Sequence, residues 1–179
     1  MRLFLAIELP KKIKQQITES LKKIQLEYQD YHWVETDNFH LTLVFIGERK
    51  EYQSIAKKIK DALYDQEKFY LYSQKVDLFM NSKIVIYLGF NREKKLENLV
   101  EKIKKSLNFV SEKKFIPHLT LARCRIPSKQ QYFHLRKKLN KLNIEIEFPV
   151  KKVVLYQSIL ATGRPVYKKL DQFPLIDIK

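Results

Sequence analysis

The tetrapeptide His-Leu-Thr-Leu occurs twice in this chain of 179 residues, at positions 40–43 and 118–121. An imidazole titrates near neutral pH, so one of two histidines can be neutral while the other is protonated. Such a pair supplies the general base and the general acid that open or close a phosphodiester without a metal ion. The hydroxyls of Thr42 and Thr120 can donate hydrogen bonds to the non-bridging oxygens of the same phosphate.

The spacing of these residues predicts that each histidine and its threonine point the same way. Side chains alternate between the two faces of a β-strand, so His40 and Thr42 share one face while Leu41, Leu43 and Phe45 take the other. The second copy divides identically, with His118 and Thr120 on one face and Leu119 and Leu121 on the other. We expect the leucines to pack against helices and the polar pairs to line a cleft.

Other readings of the two histidines are weaker. A metal site needs three or four ligands, and no further His, Cys or Asp follows either motif at ligand spacing. The single cysteine, Cys124, has no neighbouring histidine that would activate it, and we interpret it as a small buried side chain. We therefore expect neither a metal nor a cofactor. The remaining alternative is a duplicated sheet whose polar face only contacts water.

Periodicity along the chain predicts elements that would hold these residues in place. Apolar residues at helical spacing indicate helices over 10–27, 54–65, 93–107 and 128–142, the last with Ser128 as its N-cap. Strand-like runs cover 3–9, 39–45, 69–79, 84–90, 118–123, 144–148, 153–160 and 166–175. Strands and helices do not alternate regularly, which favours an α+β fold of antiparallel strands with helices on one face.

The two motifs are 78 positions apart, and this offset also superimposes predicted helices and strands of the two halves. We predict one domain, 1–179, built from pseudo-repeats of roughly 10–90 and 91–175. It would form two pseudo-symmetric lobes, each an antiparallel sheet backed by helices, with the active site in the cleft between them.

Composition limits the partners and the location of the protein. The formal net charge is +15, with 35 Lys and Arg against 20 Asp and Glu, and clustered cations favour a polyanion such as nucleic acid. No apolar run approaches the ~20 residues that span a bilayer. A lone cysteine suits a reducing compartment. We expect a monomeric cytoplasmic protein with no membrane contact.

The paired motifs resemble those of the 2H phosphoesterase superfamily, and most closely its bacterial and archaeal RNA 2′,3′-cyclic phosphodiesterases, also called 2′-5′ RNA ligases. The similarity runs nearly end to end. It includes the opening strand Met1–Pro10, the segment from Trp33 through Asn38-Phe39-His40 to Glu48, and Phe115–Arg123 around the second motif.

The resemblance implies hydrolysis of a terminal 2′,3′-cyclic phosphate on RNA to a 2′-phosphomonoester, with reversible 2′-5′ joining of tRNA halves as a second activity. It makes His40 the proton donor to the 3′-oxygen, His118 the proton acceptor from water, and Arg123 a phosphate-binding residue. Strict alternation places Arg123 on the buried face, so it reaches the phosphate only if the strand ends, twists or bulges near Ala122.

Three rival functions stay open at this point. The chain could be a 2H enzyme for another cyclic phosphate or for a 2′-5′ oligonucleotide. It could bind RNA ends without turning them over. It could also bind nucleic acid generically, which would show strong dependence on salt and indifference to the RNA end.

Overall fold

The computed structural model describes residues 1–80, 83–109, 114–125, 128–161 and 164–177. Within them lie four α-helices: α1 (Lys11–Glu27), α2 (Gln53–Ala62), α3 (Lys94–Ser106) and α4 (Lys129–Leu139). The described strands are β1 (Arg2–Glu8), β2 (His32–Trp33), β3 (His40–Glu48), β4 (Phe69–Met80), β5 (Ile84–Phe90), β6 (His118–Cys124), β7 (Glu147–Val150), β8 (Lys152–Ala161) and β9 (Arg164–Pro174).

Each predicted helix is present, and the ends follow local chemistry. Ser128 caps α4, because its hydroxyl accepts a bond from the Gln131 backbone while the Gln131 side chain accepts from the Ser128 backbone. Helix α4 ends at Leu139, three residues earlier than predicted, and α1 begins directly after Pro10. None of the helices in the described part of the chain is long and apolar enough to cross a bilayer.

The strands form one sheet, in the order β7-β4-β5-β6-β3-β1-β8-β9 among the described residues, with β2 pairing on β6. The pairings between these strands are antiparallel. The predicted strand at 144–148 instead enters the ladder at Glu147, because the Ser73 side chain bonds the backbone of Ile144 and Ile146 ahead of it. The two-residue strand β2 is too short for any periodicity and was not predicted.

The sheet has two halves that meet at β3 and β6. The only pairing between these two strands in the described structure is Leu41 with Leu119. One half contains β3, β1, β8 and β9, and the other contains β6, β5, β4 and β7. Each half therefore draws strands from both predicted pseudo-repeats, 10–90 and 91–175, and the repeat itself stays a prediction.

The helices cover one face of the sheet. Ile17 of α1, Ile59 of α2, Leu99 of α3 and Leu135 of α4 belong to the same buried apolar cluster as the strand residue Leu41. We call the opposite face, which carries His40 and His118, the open face. The prediction of a single α+β domain with a mostly antiparallel sheet and helices on one side is confirmed.

Candidate active site

The two motifs lie side by side at the centre of the sheet. Strands β3 and β6 are antiparallel and aligned at Leu41 and Leu119, which places His40 across from Thr120 and Thr42 across from His118. Leu41 and Leu119, which are 78 positions apart in the chain, are thus neighbours in the sheet. The four polar side chains form a compact array, which we call the His-Thr array, about a local twofold axis.

Burial of the two strands follows the predicted partition. From the histidine onward, β3 and β6 show the same sequence of burial: half-buried His and Thr, buried leucines between them, and an exposed side chain at the sixth position. Leu41 and Leu119 are fully buried against the helices. The apolar side of each motif anchors the strand, and the polar side faces out.

A β-bulge follows the threonine in each motif. On β3, Thr42 and Val44 pair with consecutive residues of β1, which leaves Leu43 unpaired. On β6, Thr120 and Ala122 pair with consecutive residues of β5, which leaves Leu121 unpaired. An extra residue reverses the alternation beyond it.

The bulges correct the faces that strict alternation assigned to two side chains. Phe45, expected on the buried face, is 69% exposed, and Arg123 is also exposed. Both side chains return to the open face, beside the histidine and threonine of their own strand. The condition under which Arg123 could reach a phosphate is therefore met, by a bulge one residue before Ala122.

Each histidine is held by the same backbone contact. The Nδ1 atom of His40 lies 2.6 Å from the carbonyl oxygen of Asn38, and that of His118 lies 2.8 Å from the carbonyl oxygen of Ile116. A carbonyl only accepts hydrogen bonds, so Nδ1 carries the proton in both rings. The Nε2 atom of each ring is left to accept a proton or, once protonated, to donate one.

Aromatic rings surround both histidines. Ring centroids of Phe4, Tyr156 and Tyr167 lie 5.0, 6.4 and 5.1 Å from that of His40. On the other side, Phe79 and Tyr87 lie 5.1 and 5.6 Å from His118. The sequence did not point to Phe4, Phe79, Tyr87 or Tyr167, since they stand on neighbouring strands without a motif of their own.

These surroundings lower the pKa of both imidazoles. Burial disfavours the charged form of His40 and brings its pKa to about 4, with Lys14 and Arg123 acting in the same direction. Burial, and then Arg123, also hold the pKa of His118 below its usual range. The charge of Arg123 therefore acts on both rings.

Two neutral imidazoles, two hydroxyls and a guanidinium can act on a phosphate. One ring can take a proton from a nucleophile and the other can protonate a leaving oxygen once it is charged. The hydroxyls and Arg123 can bind the non-bridging oxygens. In the described part of the chain, no group of three or more His, Cys, Asp or Glu side chains is arranged to hold a metal ion.

Comparison with known proteins identifies the family to which this arrangement belongs. A model of the 2′-5′ RNA ligase superfamily matches residues 7–160. The chain belongs to the 2′-5′ RNA ligase superfamily. The matched segment contains both His-x-Thr motifs and both bulges, so the resemblance read from the motifs is confirmed.

Individual members of the superfamily agree with this assignment. An RNA 2′,3′-cyclic phosphodiesterase of Thermotoga maritima is 31% identical over 183 residues, which cover 95% of this chain and 93% of that protein. One from Methanocaldococcus jannaschii is 30% identical, covering 97% of this chain and all of its own length, 100%. The crystal structure of Escherichia coli LigT complexed with 3′-AMP superimposes with a TM-score of 0.79, at 27% identity and 97% coverage of both chains.

Proposed function

We propose that this protein hydrolyses 2′,3′-cyclic phosphate ends of RNA to 2′-phosphomonoesters, in the cytoplasm and without a metal ion. The observation that carries the proposal is the His-Thr array, in which two imidazoles face the same space beside Arg123 and neither Nε2 atom has a hydrogen-bond partner among the described residues. The relatives named RNA 2′,3′-cyclic phosphodiesterases support the reaction and the substrate class.

In the proposed reaction, water attacks the phosphorus and the bond from phosphorus to the 3′-oxygen breaks. His118 takes the proton from water, and His40 donates a proton to the departing 3′-oxygen. Thr42, Thr120 and Arg123 hold the non-bridging oxygens, where negative charge is greatest during transfer. The product keeps its phosphate on the 2′-oxygen.

The assignment of acid and base comes from the family resemblance. It requires that the bound substrate raise the pKa of His40. With a pKa of about 4, His40 is neutral in the free protein at pH 7. An anionic phosphate beside the ring favours its charged form, so His40 acquires its proton when the cyclic phosphate binds. Arg123 beside His118 opposes protonation of the intended base.

Replacing either histidine tests the proposal. His40→Ala and His118→Ala should each lower kcat for cytidine 2′,3′-cyclic phosphate by about 10²–10⁴-fold, the usual contribution of a general acid or base. Because the rings act as one unit, the double variant should lose little more than either single variant. Circular dichroism and thermal melting separate loss of chemistry from loss of fold.

Four results would contradict the proposal in different ways. Full activity of either single variant removes the two-histidine reaction. Loss of wild-type activity in EDTA contradicts the metal-independent step. Turnover of an ADP-ribose cyclic phosphate or a 2′-5′ oligonucleotide in preference to an RNA end assigns another substrate, and tight binding of the RNA end without turnover makes the protein a binding module.

A second reaction of the same site is 2′-5′ joining of RNA ends, such as tRNA halves, which the description of the superfamily favours. A 5′-hydroxyl would replace water, His118 would take its proton, and a 2′-5′ phosphodiester and a free 3′-hydroxyl would form. Incubating two RNA halves, one with a cyclic phosphate end and one with a 5′-hydroxyl, and resolving the products on a gel tests this reaction directly.

A further inference from the structure

A cavity of about 670 Å³ lies at the end of β6, outside the His-Thr array. Its walls come from the segment after α1, from β2, from the residues that end β6 and from the start of α4. Its volume lies within the roughly 300–1,000 Å³ of typical small-ligand sites. None of the residues assigned to the proposed reaction lines it.

The cavity adjoins the proposed phosphate site through a strand pair. His32, one of the lining residues, is the direct cross-strand partner of Arg123 in the β2–β6 pairing. Residues directly opposite each other on antiparallel strands have Cβ atoms about 4.5–5.5 Å apart and point to the same face. A ligand held by Arg123 is therefore one side chain away from the rim of the cavity, whose interior, lined by Cys124 and Tyr31, lies on the helix-covered side.

A second cation, Arg125, follows Arg123 by two residues and lines the cavity. Arg125 lines the cavity and is exposed, while Cys124 between the two arginines is buried. Arg123 and Arg125 thus point to the same side, with Cα atoms roughly 6.8 Å apart along an extended chain. That separation is comparable to the distance between consecutive phosphates of an extended RNA strand.

The inner surface of the cavity suits a nucleoside. Tyr28 and Tyr31 form an aromatic wall, with ring centroids 4.9 Å apart, and aromatic rings stack against any base. The side-chain amide of Gln130 offers donors and an acceptor for a base edge. Among the described lining residues, Arg125 is the only arginine or lysine and Asp30 is the only carboxylate. A phosphate is therefore expected to enter beside Arg125.

We propose that this cavity is a subsite for the penultimate nucleotide of the RNA. This inference rests on the proposed function, since it extends the substrate from its cyclic end in the 5′ direction. The terminal cyclic phosphate lies at the array, the phosphodiester that precedes the terminal nucleoside pairs with Arg125, and the next nucleoside enters the cavity. The protein then distinguishes an RNA end from a free cyclic mononucleotide.

The subsite is tested by comparing two substrates with the same reacting group. For the wild-type protein, kcat/KM should be higher for an RNA hexamer with a 2′,3′-cyclic phosphate end than for cytidine 2′,3′-cyclic phosphate. Arg125→Ala should lower the hexamer value about tenfold, the usual effect of losing a hydrogen bond to a charged group, and leave the mononucleotide value unchanged. Arg49→Ala, the same charge change at an exposed arginine at the end of β3, should alter neither value.

Several outcomes would overturn the subsite. Equal kcat/KM for hexamer and mononucleotide in the wild type removes it. Equal losses of kcat/KM on both substrates in Arg125→Ala place the arginine in the reaction site. If Arg49→Ala lowers the hexamer value as much as Arg125→Ala does, the effect comes from overall charge. If neither substrate is turned over, the proposed function fails instead. Fluorescence anisotropy of a labelled hexamer with a 2′-phosphate end then decides, because Arg125→Ala must still weaken binding more than Arg49→Ala.

Discussion

Two histidines that are equivalent in sequence have different surroundings in the folded protein. His40 is enclosed by Phe4, Tyr156 and Tyr167 and has a pKa of about 4. The 78-residue offset also relates Phe45 to Arg123, so one side of the array carries an exposed ring where the other carries a cation. Under the proposed function, this difference in charge between the two sides would give a bound phosphate one preferred orientation.

Arg123 should influence the array in two measurable ways. Its charge lowers the pKa of both histidines, so Arg123→Ala should raise both imidazole pKa values, as read by NMR titration of the ring protons. Loss of the phosphate contact should lower kcat/KM for the cyclic mononucleotide about 10–100-fold.

Arg49→Ala is the control for Arg123→Ala, because it removes the same charge from the end of β3. Unchanged imidazole titrations in Arg123→Ala would show that burial alone sets both pKa values. Unchanged kinetics in that variant would remove Arg123 from the substrate site.

At the scale of elements, the two bulges determine the face on which Phe45 and Arg123 lie. A regular strand would point Phe45 and Arg123 into the helix-covered core, where an unpaired guanidinium is strongly unfavourable. One unpaired leucine per motif, Leu43 and Leu121, turns both side chains to the open face while staying buried itself. The same device in both strands preserves the local twofold arrangement.

In the described part of the sheet, a single backbone pair, Leu41 with Leu119, joins β3 directly to β6. Leu41→Ala removes a fully buried side chain and should lower the free energy of unfolding by about 2–5 kcal/mol. It should also lower kcat at temperatures where the protein remains folded, because a shift between the strands separates His40 from Thr120. Chemical denaturation and steady-state kinetics measure the two effects.

Leu99→Ala on α3 is the matched control, since Leu99 is equally buried but stands on a helix, outside both motif strands. Its loss of stability should be similar and its kcat close to that of the wild type. An equal fall in kcat in both variants would mean that general loosening of the core, and not strand alignment, limits the reaction.

At the scale of the whole molecule, the dominant property is charge. A net charge of +15 favours the approach of polyanions such as RNA at long range. Several of the lysines take part in exposed ion pairs such as Lys102 with Asp65, and such pairs contribute little to stability. Under the proposed function, charge would favour RNA as a class and the array would select the end.

The contribution of charge should appear as a dependence on salt. An RNA hexamer that ends in an ordinary 3′-hydroxyl should inhibit hydrolysis of the cyclic mononucleotide competitively. Its inhibition constant should weaken by about 2.6-fold per phosphate contact between about 50 and about 200 mM salt, from the slope for single strands. The kinetics of the mononucleotide, with one phosphate, should change much less, and inhibition independent of salt would contradict binding through phosphates.

Local pattern was enough to predict most elements of this protein and the partition of each motif. Apolar periodicity placed all four helices, and alternation placed His40 with Thr42 and His118 with Thr120. Pattern could not place β2, whose two residues carry no period, or the start of β7, which depends on a side chain of β4, Ser73.

The sequence by itself determined that two His-x-Thr strands present their polar pairs on one face, because the period of a strand is a property of the backbone. Only the tertiary structure decided that these strands are neighbours, since pairing across 78 positions depends on the whole sheet. It also decided the side on which Arg123 and Phe45 lie, because a bulge is a mismatch between two strands and neither strand alone contains it. The lowered pKa of both histidines arises in the same way, from burial and charge that the folded sheet brings to them.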